Sequence, residues 1–230
     1  MKNIANSLAL RPWALGVAFL WMVSPSQNAG AQVFGSDPEG VKQTNRLIDR
    51  AEDVVKQTTS ARQEIGKTLD SYNALFGDNV TDLLSAYKDV EKGIERCDKQ
   101  KVEVQKSIDT MSAEADTYFA GWTGSLENIQ SQDLRKRSED RMKETRGRFD
   151  GILAAARDAQ KSYDPLISNL KDQWTYLGHD LNPSGIASLK PDADKLNQSA
   201  TVLFKKIDDG MKTANDYITS LRSQKPATDD

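Results

Sequence analysis

Four stretches of this chain place apolar side chains at alternating steps of three and four, a spacing that commits each stretch to a helix packed lengthwise on a neighbour. A repeat of about 3.5 residues holds one stripe against a partner along a helix's whole length, and its persistence implies a left-handed supercoil. The first stripe is Thr44, Ile48, Ala51, Val55, Thr58, Arg62, Ile65, Leu69, Tyr72 and Phe76, broken by Arg62. The second is Leu83, Tyr87, Val90, Ile94, Cys97, Lys101, Val104, Ile108, Met111, Ala115, Tyr118 and Trp122, with Lys101 its one charge. A third runs from Ser138 and Met142 through Phe149, Ile152, Ala156, Ala159 and Tyr163 to Leu177 and Leu181. The fourth uses Ile186, Leu189, Ala193, Leu196, Ala200, Leu203, Ile207, Gly210, Ala214, Ile218 and Leu221.

The punctuation between the stripes sets the helix limits. Asp37-Pro38-Glu39 supplies a cap, a first-turn proline and an acid at the positive end of a helix dipole. Gly77-Asp78-Asn79 ends that helix, Ser131-Gln132-Asp133 caps the third, and Asn182-Pro183-Ser184-Gly185 breaks the third from the fourth. Pro165 should bend the third helix near Lys161, and Pro191 either kinks the fourth or marks its start. Helices are therefore expected at about 38–76, 80–129, 133–181 and 186–222, within one domain over 32–222 and with a disordered tail at 223–230. Short turns force antiparallel neighbours. The expected fold is all-α: an elongated, antiparallel, coiled-coil-like four-helix bundle.

Composition agrees with a thin core. Charged residues make up 28% and hydrophobic ones 37% of the 230 residues, with a mean hydropathy of -0.64, which suits helices exposing most of their circumference. The seams are rich in Ala, Thr and Ser, so backbones approach closely and leave little room for a cofactor; none is expected. Cys97 is the single cysteine, so no internal disulfide forms.

Residues 1–31 have the form of a secretory signal peptide: Lys2 and Arg11 ahead of the apolar run Pro12 to Val23, then Ala29-Gly30-Ala31 as the cleavage site. That run is shorter than the roughly 20 residues a membrane span needs. Cleavage after Ala31 takes two positive charges from a net charge of -3 and leaves -5. The expectation is an exported protein, periplasmic or extracellular, without a transmembrane helix. A mildly acidic chain lacks the basic surface that nucleic acid requires.

Between Arg135 and Leu189 the chain resembles a known family. Arg135-Lys136-Arg137-Ser138-Glu139, Glu144-Thr145-Arg146, Asp164-Pro165-Leu166, Asp172-Gln173, Tyr176-Leu177, Asp180-Leu181-Asn182 and Ile186-Ala187-Ser188-Leu189 together look like the uncharacterised bacterial family labelled domain of unknown function 2959. The resemblance implies an exported helical protein and brings no catalytic residue with it. Pro183 and Pro191 depart from that family's usual run into the fourth helix.

No residue cluster has the spacing of a known chemistry, so no catalytic, cofactor or metal site is assigned and no enzyme is expected. His179, the only histidine, suits a helix end. Cys97 lies on a seam, where a free thiol acts as a small hydrophobe. Trp122 and Trp174 are packing anchors rather than a ligand cage, although the turn beside Trp122 and the turn at 182–185 expose irregular backbone suited to binding. The basic group Arg135, Lys136, Arg137, Arg141, Lys143, Arg146 and Arg148 is the candidate interaction surface, diluted by Glu139, Asp140, Glu144 and Asp150. The expected role is a structural or protein-interaction module of the periplasm or cell envelope, contacting a partner protein or itself. The alternative is a peripheral protein that meets anionic lipid through the third helix.

Overall fold

The computed structural model describes residues 39–77 and 82–223. The expected leader, the Asp37-Pro38 start, the Asp78-Asn79 turn and the tail beyond Ser223 lie outside the described residues. Four helices account for nearly all of the rest: α1 (Glu39–Ala74), α2 (Leu83–Glu127), α3 (Gln132–His179) and α4 (Pro183–Ser223). No strand occurs among the described residues. The longest, α3, has 48 residues, and so extends about 72 Å at about 1.5 Å per residue.

Side-chain pairs show the topology. Arg46 meets Glu114 while Arg96 meets Glu64, so α1 and α2 run in opposite directions. Lys101 with Asp164 and Lys171 with Asp98 do the same for α2 and α3, and Lys206 with Asp158 and Arg62 with Asp208 close the ring through α4. The protein is an antiparallel four-helix bundle in which each helix packs on the one before and the one after it, with α4 returning to α1. One end holds the start of α1 and the end of α4, and we call it the terminal end. The other, the turn end, holds the α1–α2 and α3–α4 connections.

Local sequence chemistry explains the boundaries. The Ser131 hydroxyl accepts the Leu134 amide at the start of α3, and the Asp82 carboxylate accepts the Ser85 amide at the start of α2. α4 starts three residues before the expected limit. The Asn182 side chain accepts the amides of both Ser184 and Gly185, which turns Pro183-Ser184-Gly185 from a break into a first turn. A Cβ on Gly185 would lie 2.2 Å from the Asp180 carbonyl oxygen, so only glycine fits there. Pro165 and Pro191 both sit inside unbroken helices. Each lies on an exposed face, as do Lys161 and Ala187 four residues earlier, so the carbonyls that lose a donor turn toward solvent.

Burial follows the expected stripes on α2, α3 and α4. On α1 the expected Ile48, Ala51, Ile65, Leu69 and Tyr72 are buried, and the adjacent line through Leu47, Val54, Ala61, Thr68 and Leu75 is buried with them, in place of Val55, Thr58, Arg62 and Phe76. Arg62 is thus beside the seam and not a break in it. Its guanidinium bonds Asp208 and lies 4.8 Å over the Phe204 ring.

The apolar interior forms two cores. The turn-end core gathers Ile65 to Leu75, Val90 to Cys97, Tyr163 to Leu177 and Ile186 to Ile207. The terminal-end core gathers Leu47 to Val54, Ile108 to Phe119, Phe149 to Leu153 and Ala214 to Leu221. Between them lies a waist where the small side chains Thr58, Ala61, Ala156 and Ala159, with larger neighbours such as Val104 and Tyr163, line an open cavity of about 60 Å³.

Candidate functional site

The two ends treat their polar groups differently. In the turn half, the Tyr163 hydroxyl donates to the Cys97 carbonyl at 2.7 Å, and the Thr68 hydroxyl donates to the Glu64 carbonyl at 2.7 Å. Thr68 is fully buried and also touches the Cys97 sulfur at 3.5 Å. Gln173, 5% exposed, accepts from the Tyr72 hydroxyl and donates to Asn169. Burial pushes the Cys97 thiol above its ordinary range, so it is protonated and unreactive at neutral pH. The Trp174 ring stacks on Tyr87 with centroids 5.2 Å apart, but its indole N–H has no partner among the described residues.

At the terminal end the packing opens. A depression of about 130 Å³ lies between α3 and α4, walled by Arg141, Glu144, Thr145, Arg148, Tyr217, Ser220 and Leu221. A second, of about 150 Å³, shares Arg141, Thr145 and Leu221 and reaches across to Thr44, Asn45, Tyr118 and Trp122. A third, of about 290 Å³, continues past Tyr118 and Trp122 along Gly40, Gln43 and Ser125. The second depression shares lining residues with each of the other two, and all three lie at the terminal end.

Large rings pack beside these depressions. Tyr118, Phe119, Trp122 and Phe149 meet edge to face, with centroids 5.1–6.2 Å apart, and fill this end with rings where the waist has small side chains. The Trp122 indole donates to the Ser138 hydroxyl at 2.9 Å, tying α2 to α3, so this ring is a packing anchor that also lines the second depression.

Tyr217 is the unusual member. Its side chain is 4% exposed, and its hydroxyl is buried with no hydrogen-bond partner among the described residues. Burial holds this phenol well above its ordinary pKa and the neighbouring Tyr118 adds to the rise, while the Arg148 guanidinium opposes it. It is therefore neutral at physiological pH, with one proton to donate. Beside it, Arg148 donates to the Ser220 hydroxyl at 3.0 Å and to the Glu144 carboxylate at 2.6 Å.

The basic group of the third helix does not act as one surface. Arg137 pairs with Asp133, Lys136 with Asp140, Arg146 with Asp116, and Arg135 donates to the Ile129 carbonyl oxygen. Arg146 also stacks over Phe119, at 5.3 Å. Lys143 is exposed on the shaft. Only Arg141 and Arg148 reach these depressions. Tyr118 lies on the expected second stripe as a packing residue, while Tyr217, one position off the expected fourth stripe, carried no signal in the sequence; nothing in the pattern separates a tyrosine with a satisfied hydroxyl from one without.

A family model described as "protein of unknown function (DUF2959)" matches residues 36–221. The chain belongs to this family. No curated protein matches it. The DUF2959 match runs through all four helices, so it takes in both ends of the bundle and the three depressions. No group of three or more His, Cys, Asp or Glu residues among the described ones is placed to hold a metal ion. No helix among them is long and apolar enough to cross a membrane.

Proposed function

We propose that the protein is an exported structural or protein-interaction module of the periplasm or cell envelope, and that it is not an enzyme. The observation that carries the reading is the use made of helix length. All four helices contribute buried residues to both cores, and ion pairs tie each helix to its neighbours. Such construction yields a stiff rod on the order of 70 Å long whose shaft is largely solvated charge. A rod of that kind is suited to hold surfaces apart or together.

Export rests on the leader-like residues 1–31.

Photo-crosslinking inside cells tests the reading. A benzoylphenylalanine placed at Val102, Leu134 or Val202, apolar positions more than half exposed, should give discrete adducts larger than the chain from at least one face. Absence of adducts from all three positions, together with recovery of the protein from the cytoplasm with its first 31 residues intact, would count against it.

A further inference from the structure

We infer that the turn between α2 and α3 is a latch, held shut by Arg135, whose release lets two copies of this chain exchange their α3–α4 hairpins into a dimer about twice as long as the monomer. The residues of the turn do not themselves enforce a reversal. The α1–α2 connection contains Gly77 and the α3–α4 connection contains Pro183 and Gly185, but no glycine or proline occurs from Ser125 to Leu134. Leu126 and Ile129 continue the α2 stripe beyond Trp122 at steps of four and three, and the Asn128 backbone stays in the right-handed helical region, at φ -83° and ψ -7°. Only residues 129–131 then separate it from α3.

Side-chain bonds carry the reversal instead. In a continuous helix the Ile129 carbonyl would accept the amide of Asp133, four residues on. Here it accepts two bonds from the Arg135 guanidinium, 3.1 Å from Nε and 2.7 Å from Nη2. A guanidinium on the last carbonyls of a helix gains a charge-assisted bond and sits at the negative pole, so Arg135 competes directly with helix propagation at this carbonyl. The remaining support is slighter: the Ser131 hydroxyl accepts the Leu134 amide at 3.4 Å, and the Ile129 amide reaches the Leu126 carbonyl at 3.1 Å. Opening the turn spares the rest of the fold. The bonds from Trp122 to Ser138, Lys101 to Asp164 and Lys171 to Asp98 join α2 to α3 equally well between two chains as within one. The start of α1 and the end of α4 lie at the same end as the turn, so two bundles that share straightened α2–α3 helices meet there end to end. Exchange of this kind requires neither export nor another partner.

The test measures mass and intrachain distance together. Lys101 bonds Asp164 and Lys206 bonds Ser162, so the exposed Val102 on α2 and Val202 on α4 stand near one height on opposite sides of the bundle. Spin labels on Val102→Cys and Val202→Cys, with the labelled chain diluted in unlabelled protein, should read on the order of 30 Å in the closed monomer and more than about 80 Å after exchange. Cys97 is buried and does not take the label. The full-length processed protein should be monomeric by light scattering, with the short distance. Arg135→Ala should raise the dimerisation constant by about a hundredfold, since each of two chains loses a charged bond worth about tenfold, and its dimer should give the long distance. Adding Gln130→Gly to Arg135→Ala should return the population to monomer, because glycine weakens the continuous helix. Gln130→Ala with Ser131→Ala leaves Arg135 in place and favours the continuous helix, so it should also promote the long dimer, and it serves if Arg135→Ala does not fold. A wild type already dimeric with the long distance would overturn the latch. So would variants that stay monomeric at millimolar concentration, or that form dimers keeping the short distance, which is association without exchange.

Discussion

The two halves of this bundle are built from one heptad pattern and finish in opposite condition. The turn half closes Thr68, Cys97, Tyr163 and Gln173 into hydrogen bonds around aliphatic packing, while the Trp174 indole and the Gln100 side-chain oxygen have no partner among the described residues. The terminal half fills its core with edge-to-face rings, leaves Tyr217 unpaired, and opens into surface depressions. A buried polar network that is fully satisfied favours one arrangement of the chain, whereas an unsatisfied donor costs stability. The turn half is therefore the more closed end of the bundle and the terminal half the more open one.

The contrast is broken most directly by truncating the two cores. Leu196→Ala, at a position with no exposure, should cost about 3–4 kcal/mol, because the surrounding aliphatic packing cannot collapse. Leu221→Ala, which borders the depression between α3 and α4, should cost about 2 kcal/mol, since solvent already reaches its neighbourhood. Urea denaturation of the two variants compares them, and equal losses would mean that the halves do not differ in rigidity.

A next smaller effect separates two glycines. A Cβ on Gly93 would lie 2.6 Å from the Thr68 hydroxyl oxygen of α1, so Gly93→Ala should cost about 1–3 kcal/mol. A Cβ on Gly151, in the terminal half of α3, meets nothing within 4 Å, and Gly151→Ala should stabilise by up to about 1 kcal/mol through helix propensity. The same change of residue thus carries opposite signs, and thermal melts read both. A destabilised Gly151→Ala would show that the terminal half is more tightly built than its depressions suggest.

Two tyrosines sharpen the comparison further. Tyr163→Phe removes the bond to the Cys97 carbonyl and should cost about 1 kcal/mol. Tyr217→Phe removes a hydroxyl that bonds nothing described, and should cost nothing or stabilise. Equal losses in the two variants would show that Tyr217 is satisfied in solution.

The smallest effect is a pH dependence in the turn half. Hydrogen bonds from Lys67 and Arg96 hold the Glu64 carboxyl below its ordinary value of 4.5. Because the folded value is depressed, the stabilisation from Glu64 is fully present above about pH 4.5 and is lost as pH falls through the lower folded value. Glu64→Gln should thus be less stable than wild type at pH 7, with the gap narrowing below pH 4.5. A gap that stays constant from pH 7 to pH 3 would show that the pair contributes packing alone.

Much of this was legible from residue order, and the misses have physical causes. The α4 stripe from Ile186 to Leu221 is buried almost residue for residue, because a seam with one apolar line admits one register. On α1 two adjacent lines are both apolar, Leu47 beside Ile48 and Val54 beside Val55, and spacing alone did not choose between them. Contact with α2 and α4 buries both lines at Leu47 with Ile48 and at Thr68 with Leu69, and in the middle of the helix buries Ala61 and lets Arg62 reach Asp208. The basic group on α3 was visible, but its neutralisation partly was not: Asp116, which pairs with Arg146, comes from another helix. Pro183 looked like a break because its capping by Asn182 depends on turn geometry.

Periodicity by itself determined that four long helices form and pack lengthwise, since an apolar stripe of that period has no other way to leave water. The order of the helices around the ring followed from short connections. What only the tertiary structure decided is which polar groups in the seams are satisfied. A seam tyrosine contributes the same apolar ring to the pattern wherever it lies, but the fate of its hydroxyl depends on an atom from another helix at a distance of about 3 Å. Tyr163 found the Cys97 carbonyl and Tyr217 found none, and that difference, invisible in the repeat, is what distinguishes the closed end of the rod from the open one.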